Sequence, residues 1–160
     1  MKNLQDKQKQ LDNIINQNMK EKISKEILIK CKTVSLDIEL AEFMNELEIF
    51  KFWKKHKGKG GELEEFADCL HFILSIANEL RVECKLNYKI VEPSKDILKD
   101  YIYIKEKLAV FNLDRDKIAL LQLFNTLFKI AKALGWTWED VENSYIEKWK
   151  VNIERQKNNY

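Results

Sequence analysis

A chain of 160 residues with 28 basic and 26 acidic side chains, one proline and four glycines is long enough to bury one core and has the composition of a mostly helical protein. A net charge of +2 is too small to point to nucleic acid or an anionic membrane surface as a partner. The three cysteines, Cys31, Cys69 and Cys84, are odd in number and lack C-x-x-C spacing, which reads as reduced thiols; no apolar run reaches the roughly 18 residues of a membrane span and the amino terminus has no signal core, so one cytoplasmic domain spanning residues 1–160 is expected.

The first helix predicted, Leu4 to Met19, carries Leu4, Leu11, Ile14 and Ile15 at helical spacing on a strongly polar background. So thin a stripe needs a partner surface. Taken by themselves, Gln8 and Asp12 in this segment read as ordinary solvated residues. A second helix should start at Ser24, a suitable N-cap with Glu26 in the first turn, and continue through Phe52; whether Thr33-Val34-Ser35 interrupts it stays open. In this segment Leu36, Leu40, Phe43, Leu47 and Phe50 form one stripe, and Glu39, Glu42 and Glu46 run along its flank. Lys54 to Gly61 is basic and glycine-rich and reads as a loop. It lacks the GxxxxGK[ST] pattern of a phosphate cradle, so a solvated linker suits most of its lysines. In the next helix Glu65 and Asp68 share a side with Cys69, Phe72 and Ile76, while Phe66, Leu70, Ile73 and Ala77 make a second apolar side. That segment is too apolar to lie on a surface. The residues alone leave two roles open for His71, a satisfied core histidine or a ligand contact, and two for Trp53, core packing or stacking.

From Arg81 the pattern loosens. Val91-Glu92-Pro93-Ser94 marks a turn, and Asp96 to Leu108 a short amphipathic helix. Leu113 to Asp116 is another turn, with Asp114 the candidate N-cap of a core helix through Ile118, Leu121, Phe124, Leu127, Phe128 and Ala131. Gly135 fits a helix C′ stop, and Thr137 with Asp140 a capping box for the last helix. There Tyr145, Lys148, Trp149, Asn152, Arg155 and Gln156 recur at three- and four-residue spacing and share a face. A lysine and an arginine on one face suit an anionic oligophosphate.

Two acidic pairs organise this pattern: Glu39-Leu-Ala-Glu42 and Glu65-Phe-Ala-Asp68. Residues three apart on a helix point the same way, so each pair presents two carboxylates side by side beside apolar neighbours. Four such groups around one cavity would repel and raise one another's pKa values. A hard divalent cation, Mg²⁺ or Mn²⁺, resolves that conflict.

With 23 residues from Glu42 to Glu65, the E-x-x-E and E-x-x-D pairs resemble those of the dimeric all-α dUTPases of bacteria and phages, relatives of the MazG-type nucleotide pyrophosphatases. Further matches are Phe50-Lys51-Phe52-Trp53-Lys54, Ala67-Asp68-Cys69-Leu70-His71-Phe72 with Ser75-Ile76-Ala77-Asn78, and a closing Y-x-x-K-x-x-x-N-x-x-R-Q-x-x-G-Y run. Asn159 stands in that run where glycine is usual. The likeness fades over residues 84–112. It implies an all-α homodimeric bundle of about five to seven helices around a central four-helix metal-binding core. It further implies Mg²⁺-dependent hydrolysis of dUTP, with dUDP a second substrate, to dUMP and pyrophosphate.

By this resemblance Glu39, Glu42, Glu65 and Asp68 hold metal, and Glu39 positions or deprotonates the attacking water. Gln8, Asp12, Trp53 and His71 lie at the base or nucleoside, Asn152 faces the sugar, Tyr145 belongs to the substrate-binding face, and Lys148, Arg155 and Tyr160 hold phosphates. A relative acting on dCTP or another nucleotide would share the acids and differ only in the base pocket. A non-catalytic helical regulatory protein would use the acids in salt bridges instead. Were the chain phage-encoded, a host regulatory protein would be a further partner.

Overall fold

A computed structural model describes residues 1–55 and 58–158, and these contain six α-helices, a short 3₁₀ turn at Tyr88–Ile90 and no strand. The helices are α1 (Lys2–Asn18), α2 (Lys25–Leu47), α3 (Glu62–Leu80), α4 (Ile97–Asp114), α5 (Lys117–Ala133) and α6 (Trp138–Lys157). Sequence-local chemistry sets most of the boundaries. Ser24 accepts a hydrogen bond from the Ile27 amide to start α2, and Thr137 and Asp140 form the reciprocal capping box of α6. Gly135, at φ +81°, turns the chain between α5 and α6 in a conformation that costs glycine little.

Two local expectations are corrected, and a question left open is answered. The α2 helix stops at Leu47, not Phe52, because Glu48 takes the left-handed conformation at φ 53°. Its carboxylate accepts from both Lys51 and Lys54, and these bonds hold it down to a pKa of about 2. Phe50 consequently leaves the core stripe and is 42 % exposed. Asp116, not Asp114, caps α5, by accepting from the Ile118 amide at 2.8 Å; α4 runs on to Asp114. Thr33 does not interrupt α2, since its hydroxyl donates to the Ile29 carbonyl at 2.7 Å within the helix.

Helix α3 is the axis of the molecule. Phe66, Ala67, Cys69, Leu70 and the run from Ile73 to Ala77 are all buried, as the two-sided apolar pattern requires. It packs against α1, α2, α5 and α6, and α4 pairs with α5 and leans on α2. Phe66, next to Glu65 in α3, meets Phe43, Phe128 and Trp136 edge-on, at 5.8, 5.5 and 5.5 Å. Edge-to-face packing of this kind fixes the rotation of α3 against α2, and so the direction in which Glu65 and Asp68 point. Among the described residues no single helix is long and apolar enough to cross a membrane.

Candidate active site

The core stripe of α2 (Leu36, Leu40, Phe43, Leu47) and the apolar sides of α3 bury each other, which leaves their flanking acids facing one another. Glu39, Glu42 and Glu65 each offer a carboxylate oxygen, and those oxygens lie within 4.8 Å of one another. Burial, then the nearby charges of Asp68, Glu42 and Glu65, push Glu39 up to about 7. Glu65 is raised as well, by burial and then by Asp68 and Glu42. Three converging carboxylate oxygens form a donor set that fits a hard divalent cation. Asp68 is close enough to act on both glutamates, and burial raises its own pKa, but its direct partner is Lys148, 2.6 Å away.

Lys148, on α6, also reaches Glu64 at 2.9 Å. Burial would lower its pKa, yet the two carboxylates outweigh burial and hold the ammonium above its usual range. Arg155, two turns on, is exposed and donates to Asn152 at 3.4 Å; its charge is felt at Asp68 and Glu64. The last helix thus presents its cations to the acidic cluster.

Beside the acids lies a cavity of about 220 Å³, whose lining includes Gln8 and Asp12 from α1, Lys32 from α2, Asp68, His71 and Ser75 from α3 and Asn152 from α6. Gln8 and Asp12, which α1 alone would leave in solvent, are 3 % and 7 % exposed, because α1 packs on α3 and α6. Gln8 Nε2 donates to Asp12 Oδ1 at 3.0 Å, and Ser75 Oγ donates to the same oxygen at 2.6 Å. Gln8 therefore turns its carbonyl oxygen toward His71 Nδ1 at 2.6 Å and the Tyr145 hydroxyl at 2.8 Å. Since that oxygen only accepts, Nδ1 carries the imidazole proton. Burial presses His71 down to about 3, and its ring stacks on Tyr145 at 4.0 Å. One oxygen, Asp12 Oδ2, is buried with no protein partner.

Several predicted residues sit elsewhere. Tyr145 is fully buried behind His71 and does not line the cavity; it holds Gln8 and His71. Trp53 is 64 % exposed and its ring meets Phe52 edge-on at 5.0 Å; it is not among the residues that line the cavity. Tyr160 lies outside the described residues. Within the basic loop, Lys54 and Lys59 are ion-paired to Glu48 and Glu46, so these two lysines fasten the loop to α2 and its C-terminal turn. Three residues to which the sequence alone assigned no role join the site: Ser75, which stands in a matched motif, and Lys32 and Glu64. Ser75 was within reach of spacing, one turn beyond His71 on the same face, but Lys32 and Glu64 meet their partners from different helices. A family model described as dUTPase matches residues 1–160, the whole chain. No curated protein matches it.

Proposed function

The chain belongs to the all-α dUTPase family and is a dUTP diphosphatase, a hydrolase, and from that premise we propose a Mg²⁺-dependent cleavage of dUTP to dUMP and pyrophosphate, with Mn²⁺ as a substitute ion and dUDP as a second substrate. The observation that carries this reading is the juxtaposition of the carboxylate cluster with a cavity lined by Gln8, Asp12, Asp68, His71 and Asn152. Glu39, Glu42, Glu65 and Asp68 would hold the metal, which when bound would supply charge neutralisation for the oligophosphate and acidify the attacking water.

The remaining work is positioning and charge stabilisation. Glu39, at about 7, is suited to take a proton from the attacking water near neutral pH. Water adds its oxygen to phosphorus, a P–O bond of the bridge between the α- and β-phosphoryl groups breaks, and pyrophosphate leaves. Lys148 and Arg155 bind phosphate oxygens, together with Tyr160, and Asn152 faces the sugar. The cavity accepts the base. Uracil presents an N3–H donor between two carbonyl acceptors, which suits the Asp12 carboxylate as acceptor and the Gln8 amide as donor. His71 and Tyr145 fix Gln8 in that orientation.

Homodimerisation is part of the same proposal. The outer face of α2 leaves Ile27, Val34 and Ile38 exposed, and α4 leaves Leu98 and Ile102 exposed. An apolar hollow of about 460 Å³ lined by Ala41, Met44, Phe50, Leu98, Tyr101 and Ile102 joins the two. A contiguous apolar surface of this kind suits a second copy. Exposed Trp53 then serves base stacking in the dimer.

The test is pyrophosphate release from dUTP, dCTP, dTTP and UTP, each with Mg²⁺ and with EDTA, alongside Glu42→Gln. Turnover confined to dUTP, dependent on metal and reduced by about 10²-fold or more in the variant, is the expected result. Turnover of dCTP instead would overturn the base assignment and keep the metal site. EDTA-resistant turnover of dUTP would overturn the metal assignment.

A further inference from the structure

We infer that Lys148 governs when Asp68 joins the metal site: its ammonium holds the Asp68 carboxylate aside, and cation and oligophosphate bind cooperatively because each takes one partner of that pair. The inference rests on the dUTP reading above, in which Asp68 is a metal ligand and Lys148 a phosphate ligand. Glu39, Glu42 and Glu65 bring oxygens within 4.8 Å of one another, and among the described residues that set does not include Asp68. Asp68 Oδ2 instead meets Lys148 Nζ at 2.6 Å, and the two side chains are only 14 % and 16 % exposed. The same ammonium meets Glu64 Oε1 at 2.9 Å, on a side chain that is 65 % exposed.

An ion pair this close and this poorly solvated is costly to break by removing one partner alone. A carboxylate freed of its ammonium needs another cation, and an ammonium freed of its carboxylate needs another anion. A divalent cation at the glutamates supplies the first and a nucleotide phosphate supplies the second, so one exchange satisfies both. Either ligand by itself leaves half of the pair unmatched. With the cation alone, the ammonium would stay beside a second positive charge. With the nucleotide alone, the ammonium would leave Asp68 uncompensated; its charge is felt at Glu39 and Glu65 as well, so its departure would sharpen the repulsion among the acids. The coupling is reciprocal, and whichever ligand binds first eases the second. Lys148 thus has a positioning role, exerted through Asp68, besides its contact with phosphate.

The experiment measures binding, not turnover, on the intact protein. Titration calorimetry gives the affinity for Mg²⁺ alone, then for the α,β-imido analogue of dUTP, whose bridging nitrogen resists cleavage, once in excess Mg²⁺ and once in EDTA. The proteins are wild type, Lys148→Met, Asp68→Asn and Glu42→Gln. Lys148→Met should bind Mg²⁺ alone about tenfold more tightly than wild type. It should bind the analogue about tenfold more weakly in Mg²⁺, yet within about threefold of wild type in EDTA. A lysine that only contacts phosphate would weaken the analogue equally in both media, and that result overturns the proposal. Unchanged or weaker Mg²⁺ binding by Lys148→Met overturns it as well, since Lys148 would then not be withholding Asp68. Should Lys148→Met fail to fold, Asp68→Asn decides. By releasing the ammonium, it should tighten the analogue in EDTA about fivefold more than Glu42→Gln, which removes the same charge from another acid; equal effects overturn the proposal. A wild type that binds no analogue in Mg²⁺ and turns over no dUTP removes the underlying reading, whereas an active wild type with equal losses in both media removes the role of Lys148 alone.

Discussion

Tyr145 shows how a residue drawn from a substrate-binding pattern is used one layer further in. Its hydroxyl reaches Gln8 Oε1 at 2.8 Å and the Leu4 carbonyl at 3.2 Å, and its single proton favours the shorter contact. Tyr145→Phe leaves the stack on His71 intact but removes that donor. It should cost about 1–2 kcal/mol in denaturant unfolding and raise KM for dUTP by roughly three- to tenfold while kcat changes little. An equal loss in kcat would place Tyr145 in the chemical step instead. The acids behave differently. Glu39, Glu42 and Glu65 are crowded against one another, so each destabilises the fold when all are ionised without a cation. Glu39→Gln should raise the thermal midpoint of the metal-free protein near neutral pH and abolish turnover, the trade of stability for activity common at catalytic sites.

At the scale of elements, α6 is the most dependent on its start. The capping box of Thr137 and Asp140 anchors a helix whose mean character is polar and whose buried residues are Val141 and Tyr145. Thr137→Ala should cost about 1 kcal/mol, read as a lower midpoint in urea with an unchanged slope. Since Lys148, Asn152 and Arg155 are carried on this helix, fraying would also weaken phosphate binding. Helix α3, by contrast, is held by the aromatic contacts of Phe66 on three sides. Phe66→Ala should destabilise by about 3–5 kcal/mol and, by letting Glu65 and Asp68 drift, lower metal affinity along with stability.

Across the whole molecule a buried group, His71, and a half-buried one, Glu39, set opposite slopes of stability against pH. His71 is depressed from 6.5 to about 3, so its contribution is complete above pH 6.5 and is lost as pH falls toward 3. Glu39 is raised from 4.5 to about 7, so its contribution is complete below pH 4.5 and is lost as pH rises through 7. The metal-free protein should therefore be most stable between these two reference values, and thermal melts from pH 3 to 9 measure this. Addition of Mg²⁺ at pH 8 should raise the midpoint by mass action and flatten the alkaline limb, because the cation removes the repulsion that creates it. The proposed dimer predicts that wild type sediments as a dimer at micromolar protein and that Ile38→Glu on the exposed face of α2 shifts it to monomer without reducing helix content; a monomeric wild type would overturn the dimer, and an unshifted variant would move the interface elsewhere.

What the sequence by itself determined is local. Helical spacing paired Glu39 with Glu42 and Glu65 with Asp68, the caps at Ser24 and Thr137 were readable because each acts within one turn, and the two-sided apolar pattern of α3 announced that it would be buried. Tertiary structure decided what those elements meet. Gln8 and Asp12 look solvated in α1 and become buried because α3 and α6 cover them; Phe50 continues the apolar stripe of α2 yet leaves the core because Glu48 ends the helix. The choice of Asp116 over Asp114 turned on which carboxylate met the amide of Ile118. The chain Tyr145–Gln8–Asp12–Lys32 links three helices across more than 130 residues of sequence, and no periodicity records it. Spacing fixes which side chains share a face of one helix, whereas a hydrogen-bonded pocket depends on the rotation and offset between helices, and these are set by core packing.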